Sequence, residues 1–319
     1  MTETGAVYDL TPALLAISWE EQEGELAQRA RLTLLNFKLG AFYLMQLVKI
    51  NCILRLWSNW GAGRQKVFEG IIWDWDYDSA QNKELSVLAY DPMIRLQQSK
   101  DILYFSAGMS TPAILESVCG AWGVPLDYQW DKHITHTKKI FNGKAVSDII
   151  ISLLEEVRQQ TGERYVAYYK DGKLTVSGYG RNKEIYRLDS RNTFSTSDKL
   201  SINNLVTRVK ILGKADDEGR SDVEATADGN LKFGILQEIV RRDADRDLGS
   251  ARADAQTILK ERGKPEEAIQ VNAPDLPFMR KGDLVEVSAG NLIGMFYVIG
   301  VSHDGKQKTM TIRLRRKEG

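Results

Sequence analysis

Two stretches near opposite ends of the chain share one pattern, and that pattern limits the fold more than any other feature. In the first, Val48-Lys49-Ile50 leads through a polar turn to Val67-Phe68-Glu69-Gly70-Ile71, and a second polar turn leads to the alternating residues 85–89. In the second, Val285-Glu286-Val287 leads to Tyr297-Val298-Ile299-Gly300-Val301 and then to residues 310–314. Apolar and polar residues alternating with a period of two, bounded by turns, mark half-buried β-strands. A glycine inside a strand marks a bulge or the tight bend of a small barrel, and one stands at the same place in each stretch. The intervening lengths differ, so this is no short-period solenoid. Two origins stay open: duplication of one unit, or the general likeness of small antiparallel barrels. Both lead to the expectation of two similar small β-barrel domains.

What lies between and around them has a different rhythm. The chain has 319 residues, material for two or three domains. Residues 1–100 read as β: a strand within 26–36, an alternating strand over 48–57, a turn over 58–63, a strand over 67–77, and a last one over 85–89 closed by Asp91-Pro92. Residues 101–189 read as an α+β insertion. Its first helix covers 111–122, capped by Ser110 or Thr111, with Pro112 in the first turn and Gly123 as the stop. Its second covers about 144–161, where Val146, Ile149, Ile150, Leu153, Leu154 and Val157 form one apolar stripe. Strands over 164–169 and 173–178 follow, joined by the Asp171-Gly172 hairpin signal. Residues 190–319 return to β. Strands are expected over 205–212 and 231–240, a charged loop over 214–220, an inserted helix over 247–262, and strands over 284–287, 295–301 and 309–315. The expected fold class is α+β, mainly β.

Composition removes several function classes. Forty-three Lys and Arg balance forty-three Asp and Glu. This argues against general nucleic-acid binding, which needs a basic surface. Charge near zero also favours association. Cys52 and Cys119 are too few for a disulfide framework and suit a reducing compartment. The acidic first nine residues do not read as a signal peptide. The longest apolar run, residues 39–48, is about half the length a bilayer span requires. The expected site of synthesis and assembly is the cytoplasm.

Chemistry-bearing motifs do not assemble into a catalytic site. His133 and His136 are separated by two residues but have too few companions for zinc. Ser302-His303-Asp304 cannot form a relay on a strand, where neighbours point to opposite faces. Asp243, Asp245 and Asp247 imitate the start of a calcium loop, yet Leu248 replaces the required glycine and Asp254 the final glutamate. In Trp73-Asp74-Trp75-Asp76-Tyr77 the aromatics share one strand face and the carboxylates the other, which suits a core face and a wet face. The same strand also keeps open a glycan-binding or cell-wall-degrading alternative. No catalytic residue, cofactor or metal is expected.

The ordered series of segments resembles a known family. Val67–Ile71 followed by Ala89-Tyr90-Asp91-Pro92 and Leu96, Ser110–Leu115 leading to Trp122–Leu126, Gly229–Leu248 with Gly234-Ile235-Leu236-Gln237-Glu238, and Asp275–Asp283 are similar to XkdQ/YqbQ-type phage proteins, distant relatives of the late control gene D proteins. The resemblance implies a non-enzymatic baseplate hub of a contractile tail, in a phage or a phage-tail-like bacteriocin. It further implies a homotrimer whose six barrels form a ring between hexameric tail tube and trimeric central spike, with baseplate wedge proteins as further partners. Such a chain would be made in the host cytoplasm and end in the particle. Pro277, Phe278, Arg280, Lys281 and Asp283 are the candidate contact residues.

Overall fold

A computed structural model describes residues 6–59, 63–80, 83–129, 134–215, 219–242 and 247–317. The chain forms two compact units. The larger holds Met1–Thr196 and Gln270–Gly319, the smaller Ser197–Ile269. Of the three stretches read from the sequence, 1–100 and 101–189 lie in the larger unit, and 190–319 divides between both. Among the described residues the fold is mainly β, with 49% strand and 19% helix.

The larger unit opens with an antiparallel hairpin, β1 (Leu14–Gln22) and β2 (Arg29–Leu35). A short ribbon, β3 (Lys38–Leu39) and β4 (Phe42–Tyr43), leads into one helical turn, α1 (Leu44–Leu47). Then comes an antiparallel meander of β5 (Ile53–Ser58), β6 (Gln65–Asp78) and β7 (Glu84–Tyr90). The strand expected over 48–57 thus starts five residues late. Asn51 takes a φ of +67°, and its N–H donates to Ile72 O at 2.8 Å, a left-handed kink that no strand passes through. From Ile53 on the alternation holds: Leu54 and Leu56 are buried, Arg55 and Trp57 exposed. Residues 60–62 of the expected turn lie outside the described residues.

After the short helix α2 (Ile94–Gln98), the insertion runs through β8 (Lys100–Phe105), α3 (Thr111–Ala121), β9 (Leu126–Gln129), β10 (Lys139–Ala145), α4 (Val146–Thr161), β11 (Tyr165–Lys170) and β12 (Lys173–Gly178). Both expected helices are present. Ser110 caps α3 by accepting from Ala113 N, and the six-residue stripe of α4 is buried. The two helices pack Ile114, Leu115 and Val118 with Ile149, Ile150 and Leu153 against Leu174 and Val176 of β12 in one apolar cluster.

The return of the chain binds its two ends together. β13 (Tyr186–Asp189), β14 (Ser195–Ser201), β18 (Glu266–Pro274), β19 (Leu284–Ala289), β20 (Leu292–Asp304) and β21 (Thr309–Arg316) join the strands of the N-terminal region in one eleven-stranded sheet. Its path is β14-β18-β21-β20-β1-β2-β7-β6-β5, with β19 branching from β20. The seam is β1 against β20, which sets Trp19 opposite His303. Among the described residues no barrel closes. The central hairpin supplies the reason: β2 takes the edge of β7 and β1 the edge of β20. The second and third matched segments of each sequence stretch lie in two antiparallel meanders, β5-β6-β7 and β19-β20-β21, attached to opposite strands of that hairpin; of the first pair, residues 285–287 lie in β19 but residues 48–50 precede β5.

The matching glycines differ in what they permit. A Cβ on Gly70 would meet Tyr90 O at 2.2 Å, whereas on Gly300 it would meet the end of the Arg313 side chain at 3.0 Å. Past Gly70, the pairing of β6 with β7 shifts between Ile72 and Asp74. That bulge changes which parity faces the core. Phe68, Gly70 and Ile72 point in before it, Trp75 and Tyr77 pack on the core after it, and Trp73 at the bulge is 39% exposed. The expected three-aromatic face therefore has only two members.

The smaller unit comprises β15 (Arg208–Ala215), β16 (Ser221–Asp228) and β17 (Gln237–Arg241) with α5 (Leu248–Arg262). β15 is central, antiparallel to β16 and parallel to β17. Ala251 and Ala255 of α5 are buried with Val209 and Ile211 of β15. The strand expected over 231–240 is split. Residues 231–233 make a 3-10 turn, and Gly234 follows with φ +85°. Thr207 Oγ1 fixes this break by donating to Gly234 O and accepting from Leu236 N. Residues 216–218 of the expected charged loop lie outside the described residues.

Candidate functional site: a buried charge cluster

The segment Pro277–Asp283 lies at the heart of the larger unit. It links β18 to β19, and Pro277, Met279, Lys281 and Gly282 are buried in it, while Phe278, Arg280 and Asp283 are half-buried. Its turn is closed locally: Met279 N donates to Leu276 O, and Arg280 N to Asp283 Oδ2 at 2.9 Å. His303 holds the turn from below, with Nδ1 2.6 Å from Asp275 Oδ1 and Nε2 3.2 Å from Met279 O. Its ring stacks on Trp19 at 4.7 Å and 9°. Gly282, at φ +93°, lies so close to β11 that a Cβ would come within 2.6 Å of Val166 Cγ1.

Charge gathers where this turn meets β1 and β11. Glu21 of β1, only 2% exposed, accepts from Arg280 Nε at 3.0 and 3.2 Å, from the Arg280 Nη2 group, and from Lys281 N at 3.3 Å. Arg280 also donates to Tyr169 O at 3.0 Å and lies 4.5 Å over the Tyr168 ring. Lys281 donates its Nζ to Glu25 O. Asp91, which follows β7, accepts from Gln28 N at 2.8 Å and Met93 N at 2.9 Å. One cation thus joins the hairpin β1-β2, the insertion and the turn before β19. This can do mechanical work, fixing the insertion on the sheet through a fork whose three nitrogens each donate to a fixed acceptor.

The electrostatics follow from burial. Burial works to raise the Glu21 pKa, but the Arg280 charge and hydrogen bonds outweigh it and hold the carboxyl below its ordinary value. Burial lowers Lys281. For Asp91 burial wins over two backbone N–H donors and pushes the carboxyl to about 7; for Asp283 it pushes it to about 6. The sign for stability is fixed. An unfolded aspartate titrates near 4, so between roughly pH 4 and 7 the folded chain binds more protons than the unfolded one. Stability conferred by these two groups falls as pH rises through that window, by at most about 1.4 kcal/mol per pH unit for each. Glu21 acts in the opposite sense, losing its contribution as pH falls below its unfolded value. The urea midpoint should therefore decline from about pH 5 to pH 8, and less steeply in Asp91→Asn. A midpoint that climbs over that range contradicts this electrostatic account.

The other sequence candidates are placed apart. His136 is buried, with Nδ1 2.9 Å from Glu156 and Nε2 2.7 Å from Thr111 Oγ1. His133 lies outside the described residues, as do Asp243 and Asp245. Asp247 caps α5 by accepting from Ser250 N at 3.0 Å. Among the described residues no group of three or more His, Cys, Asp or Glu is arranged to hold a metal. No described helix is long and apolar enough to cross a membrane. Sequence reasoning missed Glu21 and Asp91. The available signal was parity: in Trp19-Glu20-Glu21, the glutamate two places from a buried tryptophan shares its face.

The mainly β fold of this chain is shared with solved tail proteins. The tail protein from Neisseria meningitidis MC58 superposes with a TM-score of 0.69 at 13% identity, over 96% of this chain and 93% of that one. The 43 kDa tail protein of prophage MuSo2 from Shewanella oneidensis gives 0.67 at 12% identity, over 98% and 96%. Within this class of fold the sequence is more specific: residues 17–315 match the family model described as YQBQ-like, and the chain belongs to that family. It is also similar to the phage-like element PBSX protein XkdQ of Bacillus subtilis (strain 168), 25% identical over 261 residues and 79% of each chain.

Proposed function

We propose that this chain is a structural, non-enzymatic hub of a contractile-tail baseplate. Three copies form a ring that joins a hexameric tail tube to a trimeric central spike and serves as the platform on which the tube starts. The observation that carries this reading is the paired meander, β5-β6-β7 and β19-β20-β21, on one shared hairpin. Two alike sheet segments per chain let a three-fold assembly offer six similar surfaces, and closed point symmetry is the usual state of homo-oligomers. The likeness in fold to tail proteins supports the same reading. Tube initiator, spike and wedge proteins are its partners, and its path leads from the host cytoplasm into the phage or bacteriocin particle.

In this reading Pro277–Asp283 acts from inside, by setting the angle of the insertion; its half-buried residues Phe278, Arg280 and Asp283 border the contact surface. The glycan alternative rests on Trp73–Tyr77, and there Trp73 stands edge-on to Tyr90 at 6.3 Å while Trp75 and Tyr77 pack on the core. No continuous aromatic platform for a sugar ring remains. The test is deletion of the gene from the element that encodes it, followed by negative-stain imaging of induced lysates. Loss of assembled tails is expected. Normal tails that fail only in cell-wall penetration would favour the glycan-active alternative.

A further inference from the structure

Beside the end of α4 the larger unit has a cleft of about 320 Å3. Arg164, Arg181, Arg315 and Arg316 line it, with Tyr179 and Tyr297 among its walls. Most of the charge here is already engaged. Arg315 donates to both oxygens of Glu23 at 2.6 Å. Arg158, close by on α4, donates Nε to Glu155 at 2.7 and 2.8 Å.

Arg164 is different. It is half-buried, and among the described residues no acceptor lies within bonding distance of its guanidinium. Burial and the like charges of Arg315 and Arg158 all press its pKa below the usual arginine value, and the opposing charges of Glu23 and Glu155 do not offset them. A guanidinium has five N–H donors in a rigid fork and cannot shed its charge. Holding it in a cleft among like charges, with no acceptor, is unfavourable for the isolated chain. Arrangements of this kind are tolerated where a ligand completes them.

We propose that this cleft is a binding site for a carboxylate presented by a partner protein, with the Arg164 fork as its receptor. Fork and carboxylate match bidentately. The charge count also favours a single carboxylate: Glu23 and Glu163 stand among the four arginines, so a compact polyanion would meet two carboxylates of the site. The walls suit a peptide. Tyr179 and Tyr297 pack edge to face at 5.4 Å and 83°, a rigid surface for the aliphatic stem of an acidic side chain. The proposal is independent of which assembly the chain serves.

Isothermal titration of the purified chain with a triglutamate peptide tests it, with triglutamine and inorganic phosphate as separate arms. Triglutamate should bind and triglutamine should not. Arg164→Gln should weaken binding by about tenfold or more, and Arg164→Glu should abolish it. Arg191→Gln, which removes an 89% exposed arginine, should leave it unchanged. Arg164→Gln should also melt at or above the wild-type temperature, because it relieves repulsion from Arg158 and Arg315. Absence of triglutamate binding, equal binding by Arg164→Gln, or a lowered melting temperature in that variant would overturn the proposal. So would tighter binding of phosphate than of triglutamate.

Discussion

Arg280→Ala lowers the free energy of unfolding by about 3–5 kcal/mol, the range expected when one partner of a buried pair is removed and the other charge stays behind. Three things fail together in this variant. Glu21, 2% exposed, loses its counter-charge. Tyr169 O loses its donor, and the Tyr168 ring loses the cation that covers it. The loss depends on pH in a way that identifies its origin. Without Arg280, only the Lys281 charge and N–H oppose burial at Glu21, and its carboxyl shifts upward, so protonation relieves part of the penalty in acid. The deficit measured by urea unfolding should be larger at about pH 8 than at about pH 5. Glu21→Gln in the Arg280→Ala background should recover part of it. A loss below about 1 kcal/mol, as for an exposed ion pair, would show that this cluster does not tie the insertion to the sheet.

The second large effect is steric. Gly70→Ala should cost about 3 kcal/mol, at the upper end for overpacking. The added methyl would lie 2.2 Å from Tyr90 O and 2.6 Å from the end of the Phe68 ring, and a backbone carbonyl in a paired strand cannot step aside. Gly300→Ala, at the matching place in the other meander, meets only the flexible end of Arg313 at 3.0 Å and Glu21 O at 3.3 Å. It should cost under about 1 kcal/mol, and thermal unfolding of the two variants side by side reads the difference. Equal losses would mean that the two glycines serve one shared barrel-bend role, as the sequence pattern alone suggests.

That contrast shows how far the sequence carries. Helices α3 and α4 and the β11-β12 hairpin were legible because their signals are local: a cap, a stripe with one period, a turn dipeptide. The late start of β5 was not, since it depends on Asn51 reaching Ile72 O across the sheet. Nor was the exposure of Trp73, because the bulge that reverses parity exists only in the pairing of β6 with β7. Strands such as β8, β14 and β16 carry polar or exposed side chains and have no apolar alternation strong enough to announce them.

The candidate site was half legible. The mixture of proline, aromatic and charge in 277–283 singled out that turn, but its charges suggested an outer contact surface. Burial of Lys281 and the attachment of Arg280 to Glu21, 259 residues away in sequence, follow from the β1-β20 seam, which no short-range pattern encodes. The repeat was legible as a pair of meanders except in its first match, since residues 48–50 fall before β5. Their union into one sheet was not, because it is the central hairpin that takes the edges on which each barrel would have closed.

The proposed function stands or falls on symmetry, and end-on cryo-EM class averages of the assembled protein measure it directly. The account predicts three-fold averages in which six similar lobes surround a central channel. Averages with two-fold or four-fold symmetry, or three lobes with no repeated substructure, would contradict it.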